Sequence, residues 1–572
     1  MIAPRADRPA AAPPNLRLWP GVVLVALQWL GRFIVPFFLP DAMPYGVMGA
    51  LALGLLVVLW WVFLSRAPRG ERWGGLLLMV AAMFGFQHLV DPSIATGMMG
   101  MMFPIYALPG LCLALVVWAV LTRNIVGRAR LVTLALTIFG AFGVWTLVRT
   151  GGFSGDLDHE FAWRWAESHE DRVVAQQQTL REVAADLPGV TGPAEWPGFR
   201  GSARDSVVRH PRYATDWSVA SPEEVWRRDI GPGWGSFAVR GDLIYTQEQR
   251  GEEEVVACYR LSFGEPVWRH GDPVRFWESN AGAGPRATPT IDGDQIFALG
   301  GTGLINALRA HDGEVIWSRD AAADTGTTTP MWGYSASPLV SGDLAVVAAS
   351  GRLVAYDRHN GDLRWMGPEA TTSYSSPHWA TLHGEGQILH LNGEGILSFE
   401  PETGEVLWRH DWDGYPIVQP AVTSDGDVLL AVSEGDGLRR LQVRRAAAGW
   451  QAQERWTSIR LKPYFNDFVV HEGHAYGFDG SIMAAIDITT GDRVWKGGRY
   501  GNGQLVLLAE QDLLLVLSED GELVLVGATP DGHSELSRAP ALTGRTWNHP
   551  VVVGDLVLVR NGKEMAAFRL PV

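Results

Sequence analysis

Ala484–Trp495 reads AAIDITTGDRVW. Alternating apolar residues lead into an aspartate, a Thr-Gly pair ends a turn, and a tryptophan closes the run. The alternation marks a strand covered on one face or both. Asp-x-x-Thr-Gly supplies a polar cap and the glycine that a tight hairpin needs at positive φ. The pattern recurs in Val256–Trp268 (VACYRLSFGEPVW), Ile305–Trp317 (INALRAHDGEVIW), Val354–Trp365 (VAYDRHNGDLRW) and Leu397–Trp408 (LSFEPETGEVLW). A degenerate copy ends at Trp456, and Val524–Leu536 has leucine in the tryptophan position. Successive terminal tryptophans lie 39 to 49 residues apart, which suits one four-stranded propeller blade. A single unit cannot bury its own faces, so each tryptophan is expected to carry apolar surface to the seam with the next unit.

Seven such units run over about residues 234–536. An eighth begins at Asn548 and ends without its tryptophan strand, while Glu223–Asp229 (EEVWRRD) is a tryptophan strand with no unit before it. The two fragments complete one blade, so strands from both ends close the ring and remove its open edges. Residues 196–572 are therefore expected to form an all-β, eight-bladed propeller.

The first 149 residues are of another kind. Apolar runs at 18–39, 44–64, 73–90, 105–122 and 131–149 each approach the length of about 20 residues that a bilayer-crossing helix needs. They have no polar face, which argues against a soluble bundle. No small-residue cleavage site follows the first, which argues against a signal peptide. The expectation is an all-α transmembrane domain of five helices in the lipid bilayer. Arg5, Arg8 and Arg17, then Arg66, Arg69 and Arg72, then Arg123, Arg128 and Arg130 fall on one side if there are five spans. That side is cytoplasmic, which puts the propeller on the periplasmic side of the inner membrane. Trp19, Trp60, Trp61, Trp73 and Trp145 read as interfacial anchors; His88 with Gln87 reads as a polar pair near the outer interface, the alternative being contact with a quinone or proton path. Residues 150–195 form a polar stalk, with one or two helices expected between Phe161 and Ala185.

The formal net charge of −15 argues against a nucleic-acid partner, since phosphate binding needs a basic surface. The two cysteines, Cys112 and Cys258, fall in different halves of the chain. They are expected to be buried small hydrophobes, with neither a disulfide nor a metal site between them. The acidic run around Glu248 and Glu252–Glu254 reads as a solvated hairpin tip.

The repeats resemble those of the pyrroloquinoline-quinone (PQQ) type propeller family, whose pattern A-x-D-x-x-T-G-x-x-x-W stands in AAIDITTGDRVW. The lead-in WPGFRGSARD (Trp196–Asp205) resembles the segment before many such propellers. One branch of that family holds quinoprotein dehydrogenases, which oxidise alcohols or sugars with PQQ and a divalent cation. Their membrane-bound glucose dehydrogenase type has five spans before a periplasmic propeller. The other branch is non-catalytic, like the propeller lipoprotein of outer-membrane assembly, and binds proteins. The long insertions and adjacent Cys-Cys pair of the catalytic branch are absent here, and no catalytic residue or metal ligand is carried over from it.

Propellers bind ligands at the axis, among the loops that enter each innermost strand. Here those loops hold Trp234, Arg286, Tyr334, Tyr374, His378, Gln419, Asn466, Asp467, Asn502, Gln504, Asn548 and His549, with Ser335, Trp332 and Trp547 nearby. A ring of one arginine, two histidines, amides and aromatic faces suits a planar polyanion, PQQ with Ca²⁺ or Mg²⁺ among them, or a peptide. Asp467 is the candidate cation ligand or general base, and a turn residue otherwise. The favoured reading is a membrane-anchored periplasmic scaffold that binds a protein or a small molecule at this mouth. The alternative is a PQQ-dependent alcohol or sugar dehydrogenase that passes electrons to ubiquinone. A sensor is a third reading, with no output domain to receive its signal.

Overall fold

The computed structural model describes residues 16–39, 42–153, 159–177, 192–433, 435–447 and 449–572. The chain divides into two compact units, Met1–Ala166 with Glu278–Gly282, and Glu167–Trp277 with Ala283–Val572.

The first unit is helical: α1 (Trp19–Phe38), α2 (Met43–Leu64), α3 (Arg69–Gln87), α4 (Pro92–Thr96), α5 (Met102–Leu121) and α6 (Arg128–Leu147). Four of these, α1, α2, α5 and α6, are long and apolar enough to cross a membrane. The expectation of five is corrected at α3. Its first turn carries Arg69, Glu71 and Arg72, so the apolar part, 73–87, rises only about 22 Å against a hydrocarbon core of about 30 Å. Glu71 is buried against Arg130 at the start of α6, with Oε2 accepting from Nε at 3.0 Å. The Arg130 guanidinium also covers the Trp118 ring, 4.7 Å from its centroid.

Trp60 and Trp61 are not interfacial anchors but core. A Cβ on Gly21 would fall 2.5 Å from the Trp60 ring, so the glycine admits the indole between α1 and α2. Trp61 meets Trp118 edge-on at 5.7 Å. Beyond α6 the chain forms an antiparallel hairpin, Val148–Phe153 with His159–Trp163. The helix expected from Phe161 onward is therefore a strand at first. Phe161 and Trp163 alternate with Ala162 and Arg164, a period of two rather than 3.6. A helix follows at His169–Gln177, and the rest of that expected stretch lies outside the described residues.

The second unit is a ring of eight blades, each a four-stranded antiparallel sheet, with Val207–Val208 added in parallel to the seventh as a fifth strand. Blades one to seven span residues 238–272, 290–320, 339–366, 378–411, 421–458, 469–499 and 504–540, with strands in sequence order. Blade eight takes Val551–Val553, Leu556–Arg560 and Glu564–Arg569 from the C-terminus and Glu223–Asp229 as its outermost strand. Ala567 stands opposite Trp226 in that closing pair.

The seams explain the repeat. Each terminal indole donates its N–H to a carbonyl in the next blade's outer turn: Trp226 to Leu261 (2.7 Å), Trp268 to Ala310 (3.0 Å), Trp317 to Arg358 (2.9 Å), Trp365 to Pro401 (2.9 Å), Trp456 to Ile488 (3.1 Å) and Trp495 to Thr529 (2.8 Å). Five of the rings lie against the turn glycine of that blade, at Gly264, Gly313, Gly361, Gly404 and Gly491. A Cβ there would come within 2.4 to 2.9 Å of the indole. The glycine is thus required twice, by a φ of 68° to 78° and by the neighbour's ring. Trp408 departs from the rule. It donates to Gln387 Oε1 of its own blade at 2.9 Å, because blade five has a long hairpin, Leu438–Ala446 with Gly449–Ser458, in place of the Asp-x-x-Thr-Gly turn.

The acidic run of blade one is only partly solvated. Glu252 and Glu253 are exposed at the tip, whereas Glu248 and Glu254 are buried. Glu248 accepts from the Gly231 N–H, the Tyr259 hydroxyl and Arg250 Nη2, at 2.6, 2.5 and 2.7 Å. Burial alone would raise its carboxyl, but Arg250, with Tyr259, holds it below the ordinary range. Cys112 and Cys258 are both free and buried, as expected.

The seam contact makes a quantitative prediction. Gly384 has a φ of 83° and open space where a Cβ would stand, while Gly361 has a φ of 76° and the Trp317 ring 2.8 Å from that position. Gly384→Ala is expected to cost about 1 kcal/mol, and Gly361→Ala a further 1–3 kcal/mol, roughly, from overpacking. In a Trp317→Leu background that extra cost should vanish. Urea unfolding measures all three, and equal costs for the two glycines would remove the indole from the explanation.

Candidate functional site

The inner strands of a propeller all run in one sense, so the loops that enter them gather at one end of the axis. Aromatic rings from five of these loops form a connected series. Trp234 packs on Trp547 at 5.0 Å, Trp547 on Phe465 at 5.2 Å, Phe465 on Tyr464 at 5.3 Å, Tyr464 on Trp332 at 6.4 Å, and Trp332 on Tyr374 at 4.9 Å. The Arg545 guanidinium covers both Trp234 and Trp547, 5.0 and 4.5 Å from their centroids.

Three of the predicted amides, Asn548, Gln504 and Gln419, tie neighbouring entry loops together, and Asn466 bonds within its own loop. Asn548 donates to the Gly233 and Gly235 carbonyls at 3.2 and 2.7 Å. Gln504 donates to the Trp547 carbonyl at 3.1 Å, and Gln419 to the Pro377 carbonyl at 3.3 Å. Asn466 accepts from the Tyr464 N–H at 3.3 Å. Three further predicted residues have local partners. Arg286 donates to the Gly284 carbonyl at 2.7 Å and covers the Phe276 ring, Tyr334 bonds Thr327 at 3.0 Å, and the Asn502 N–H donates to Glu519 at 2.9 Å. Ser335 donates to the Tyr374 carbonyl at 3.3 Å.

The other end of the axis is filled by the lead-in WPGFRGSARDSVV, residues 196–208. Trp196 bridges Val239 of blade one, and the Pro197 carbonyl accepts from Ile291 of blade two at 2.7 Å. Arg204 donates to the Ser337 and Pro338 carbonyls of blade three at 3.1 and 2.9 Å. Val207 and Val208 pair in parallel with Leu507 and Leu508, the last residues of blade seven's inner strand. Gly198 makes the approach feasible, since a Cβ there would meet Thr290 Oγ1 at 3.0 Å and the Pro289 carbonyl at 3.2 Å. Arg200, Arg204 and Ser206 all adopt left-handed backbone, with φ of 64°, 54° and 60°. Such strain persists only where the surroundings over-determine it.

Arg200 supplies that determination. Its Nη1 donates to Asp467 Oδ1 at 3.0 Å, Nη2 to the Phe468 and Asp205 carbonyls at 2.7 and 3.2 Å, and Nε to Ser206 Oγ at 2.8 Å. Asp467 Oδ1 also accepts from the Gln419 N–H at 2.9 Å. The network continues to His549. Its Nδ1 lies 2.7 Å from the Pro550 carbonyl and so carries the proton, which leaves Nε2 to accept from Ser206 Oγ at 2.8 Å. Burial, then Arg200, lowers His549 to about 3, and burial with Arg204 and Arg200 lowers His378 to about 3. Both histidines are neutral at physiological pH. Burial raises the Asp467 carboxyl, against the pull of Arg200.

This arrangement bears on the chemistry open to the site. Asp467 is committed to a guanidinium and a backbone amide, so it offers no free base. Among the described residues no three His, Cys, Asp or Glu side chains gather to hold a metal ion. The donor set does not fit a planar tricarboxylate bound beside a divalent cation. Sequence reasoning missed Arg200 and Arg204 as site residues. The signal was present in the lead-in WPGFRGSARD, where two arginines flank a Gly-Ser turn.

The buried charges are open to test by mutation and by pH. Asp467→Leu leaves Arg200 buried without its partner, which is expected to cost about 3–5 kcal/mol, while Arg200→Met with Asp467→Leu costs less than the single change. A denaturation cycle reads this, and additive costs would contradict it. For pH, a histidine held neutral in the fold but titrating near its ordinary range when unfolded lets the unfolded chain bind more protons. Stability is then complete above about pH 6.5 and falls by up to about 1.4 kcal/mol per pH unit per histidine below it. His378 has no hydrogen bond among the described residues, so His378→Phe should flatten the slope of Tm against pH between about 6.5 and 4.5. An unchanged slope would count against a neutral buried His378.

Known proteins resemble the propeller throughout. A family model described as outer membrane protein assembly factor BamB matches residues 213–384 and 392–571. The outer membrane protein assembly factor BamB of Yersinia pestis is 24% identical over 351 residues, 59% of this chain and 76% of that one. Its Shewanella oneidensis counterpart is 25% identical over 381 residues, 61% of this chain and 89% of that one. Among solved structures, a quinohemoprotein alcohol dehydrogenase from Comamonas testosteroni superposes with a TM-score of 0.51 at 12% identity, over 66% of this chain and 80% of that one, a likeness of fold alone. With the family model matched across most of the propeller and its eight blades closed by strands from both ends, this chain belongs to the BamB family of PQQ-type propellers.

Proposed function

We propose that the chain is a membrane-anchored scaffold whose propeller binds a protein at its entry-loop rim, on the extracytoplasmic side of the inner membrane. The observation that carries this reading is the division of labour at the rim. Most of the polar ring is spent on bonds between loops and to the lead-in, with His378 Nδ1, Gln419 Oε1, Asn466 Nδ2 and Asn548 Oδ1 buried and unbonded, whereas Trp234, Trp332, Tyr464 and Trp547 stay half-buried and Met331 and Tyr415 are exposed. Exposed aromatic and methionine side chains with arginine beside them are the composition of a protein-contact centre. The curated relatives are named outer membrane protein assembly factors, which supports a partner or client from that process.

The orientation rests on the curated relatives, which are named outer membrane protein assembly factors. A reporter active only outside the cytoplasm, fused after the exposed Val572, should be active, and activity of a cytoplasmic reporter there would place the propeller inside.

For the rim, a photo-crosslinker at Tyr415 or Met331 of the full chain in cells is expected to give discrete adducts with envelope proteins of outer-membrane assembly. The same probe at Gln451, on the long hairpin of blade five, should give none. Adducts at Gln451 alone would remove the rim from the contact surface.

A further inference from the structure

Helix α1 carries a single charged side chain along its length, Arg32. It stands about 9 Å before the end of the helix at Phe38. Arg32 is 4% exposed. Its Nη1 donates to Met43 Sδ, a weak acceptor, at 3.0 Å. The guanidinium carbon lies 5.3 Å from the ring centroids of both Phe33 and Tyr106. Among the described residues no carboxylate pairs with it and no oxygen accepts from it. Nε and Nη2 are unbonded but not sealed, so they meet the surface of the bundle.

The backbone around Arg32 is fixed. Pro36 has no N–H for the Arg32 carbonyl, and the helix takes one wide turn, Leu30–Ile34, in which the Val35 N–H reaches the Leu30 carbonyl. Gly46 of α2 admits α1 at this point, since a Cβ there would fall 2.7 Å from the Gly31 carbonyl. Trp29, just before it, donates to the Pro109 carbonyl of α5 at 3.3 Å. Tyr106 is held in turn by Trp145 and Phe161, at 6.0 and 5.5 Å. On the same stretch of α1 and α2, Phe33, Ile34, Phe37 and Met48 are exposed.

An arginine that only snorkels keeps its head free in water. This one is clamped between two rings, with one edge of its fork facing out. A cation in apolar surroundings is costly until an anion meets it, and two rings with a thioether offset only part of that cost. Nε and Nη2 are the side-by-side donors that two oxygens of one phosphate accept from together.

We infer that Arg32 is a binding site for the headgroup phosphate of an anionic phospholipid, whose acyl chains lie along the exposed apolar side chains of α1 and α2. No acid among the described residues pairs at this site to hold a choline or ethanolamine ammonium, so a headgroup of net negative charge is preferred. The inference rests on the membrane anchoring proposed above, and it is independent of the partner at the rim.

The test begins with incorporation of the full chain into phosphatidylcholine nanodiscs. Failure to enter them would overturn the anchoring and this inference together. Native mass spectrometry of the delipidated full chain in detergent then counts bound lipid. One phosphatidylglycerol per chain is expected, with a Kd of about 10 μM, and phosphatidylcholine and phosphate-free diacylglycerol at least about tenfold weaker. Arg32→Met should weaken phosphatidylglycerol by about tenfold or more. Arg32→Lys is the second variant. It keeps the cation and loses the fork, and it should weaken the lipid at least about threefold at unchanged Tm. Arg123→Gln, at an exposed position beyond the end of α5, should change nothing. Equal binding of phosphatidylglycerol and phosphatidylcholine by a chain that does enter nanodiscs would overturn the inference and leave the anchoring in place. Unchanged binding in Arg32→Met, or an equal loss in Arg123→Gln, would overturn it as well.

Discussion

The indole of one blade lying on the turn glycine of the next is the contact on which this propeller depends. Each blade is an antiparallel sheet with two apolar faces and no core of its own. The indole joins one sheet to the next by a buried ring and by a hydrogen bond to the neighbour's outer turn. The glycine is what lets the ring approach, and the aspartate before it fixes the turn. At Asp487, for example, the carboxylate accepts from the Thr489 and Thr490 N–H groups at 2.6 and 3.1 Å. The repeat is therefore a record of contact between blades as much as of structure within a blade. Where the turn is replaced by the long hairpin of blade five, the indole of Trp408 turns back into its own sheet, and the ring closes all the same.

A closed ring leaves an axis to be filled, and the chain fills it with its own lead-in. Arg200 reaches Asp467 across 267 residues of sequence, and Ser206 and His549 extend the same network to the strands that close the ring. Charges inside a protein are costly unless paired and hydrogen-bonded. Here every bond of Arg200 also fixes one of the strained residues or entry loops around it. Much of the polar character of the axis is thereby accounted for by architecture, while His378 Nδ1, Gln419 Oε1, Asn466 Nδ2 and Asn548 Oδ1 stay unbonded. Arg560 plays a comparable part at the closing seam, where it donates to Thr246 Oγ1 and the Gln247 carbonyl of blade one at 2.6 and 2.9 Å. What remains for an outside partner is the aromatic rim.

Features with a short period were legible in the sequence, and features made by distant residues were not. The units ending in Trp268, Trp317, Trp365 and Trp495 gave the blade count, and EEVWRRD gave the closure, because each carries its signal within a dozen residues. Trp60 and Trp61 looked like interfacial anchors by position in a helix. Their burial depends on Gly21 and Trp118, which only packing brings close. Glu248 looked like part of a solvated acidic tip, and its partners Gly231 and Tyr259 lie on other elements. The entry-loop residues were identified as a group by their place before each inner strand. Which of them would be free could not be read, since the group that engages Asp467 belongs to a lead-in known only by its resemblance. The helix α3 shows the same limit from the other side, where a run of apolar residues is legible but its charged first turn leaves it too short to cross.

The claim that the axial polar ring serves mainly to tie the entry loops and the lead-in together is open to one direct measurement. Hydrogen exchange of the full chain in detergent, with PQQ and Ca²⁺ titrated together, reports on the entry loops at Gln419, Tyr464–Asp467 and Trp547–His549. The predicted result is slow exchange in the free protein and no saturable change as the quinone and metal are added. Saturable, metal-dependent protection of those loops, lost in Asp467→Asn, would contradict it and show that the ring opens to a cofactor.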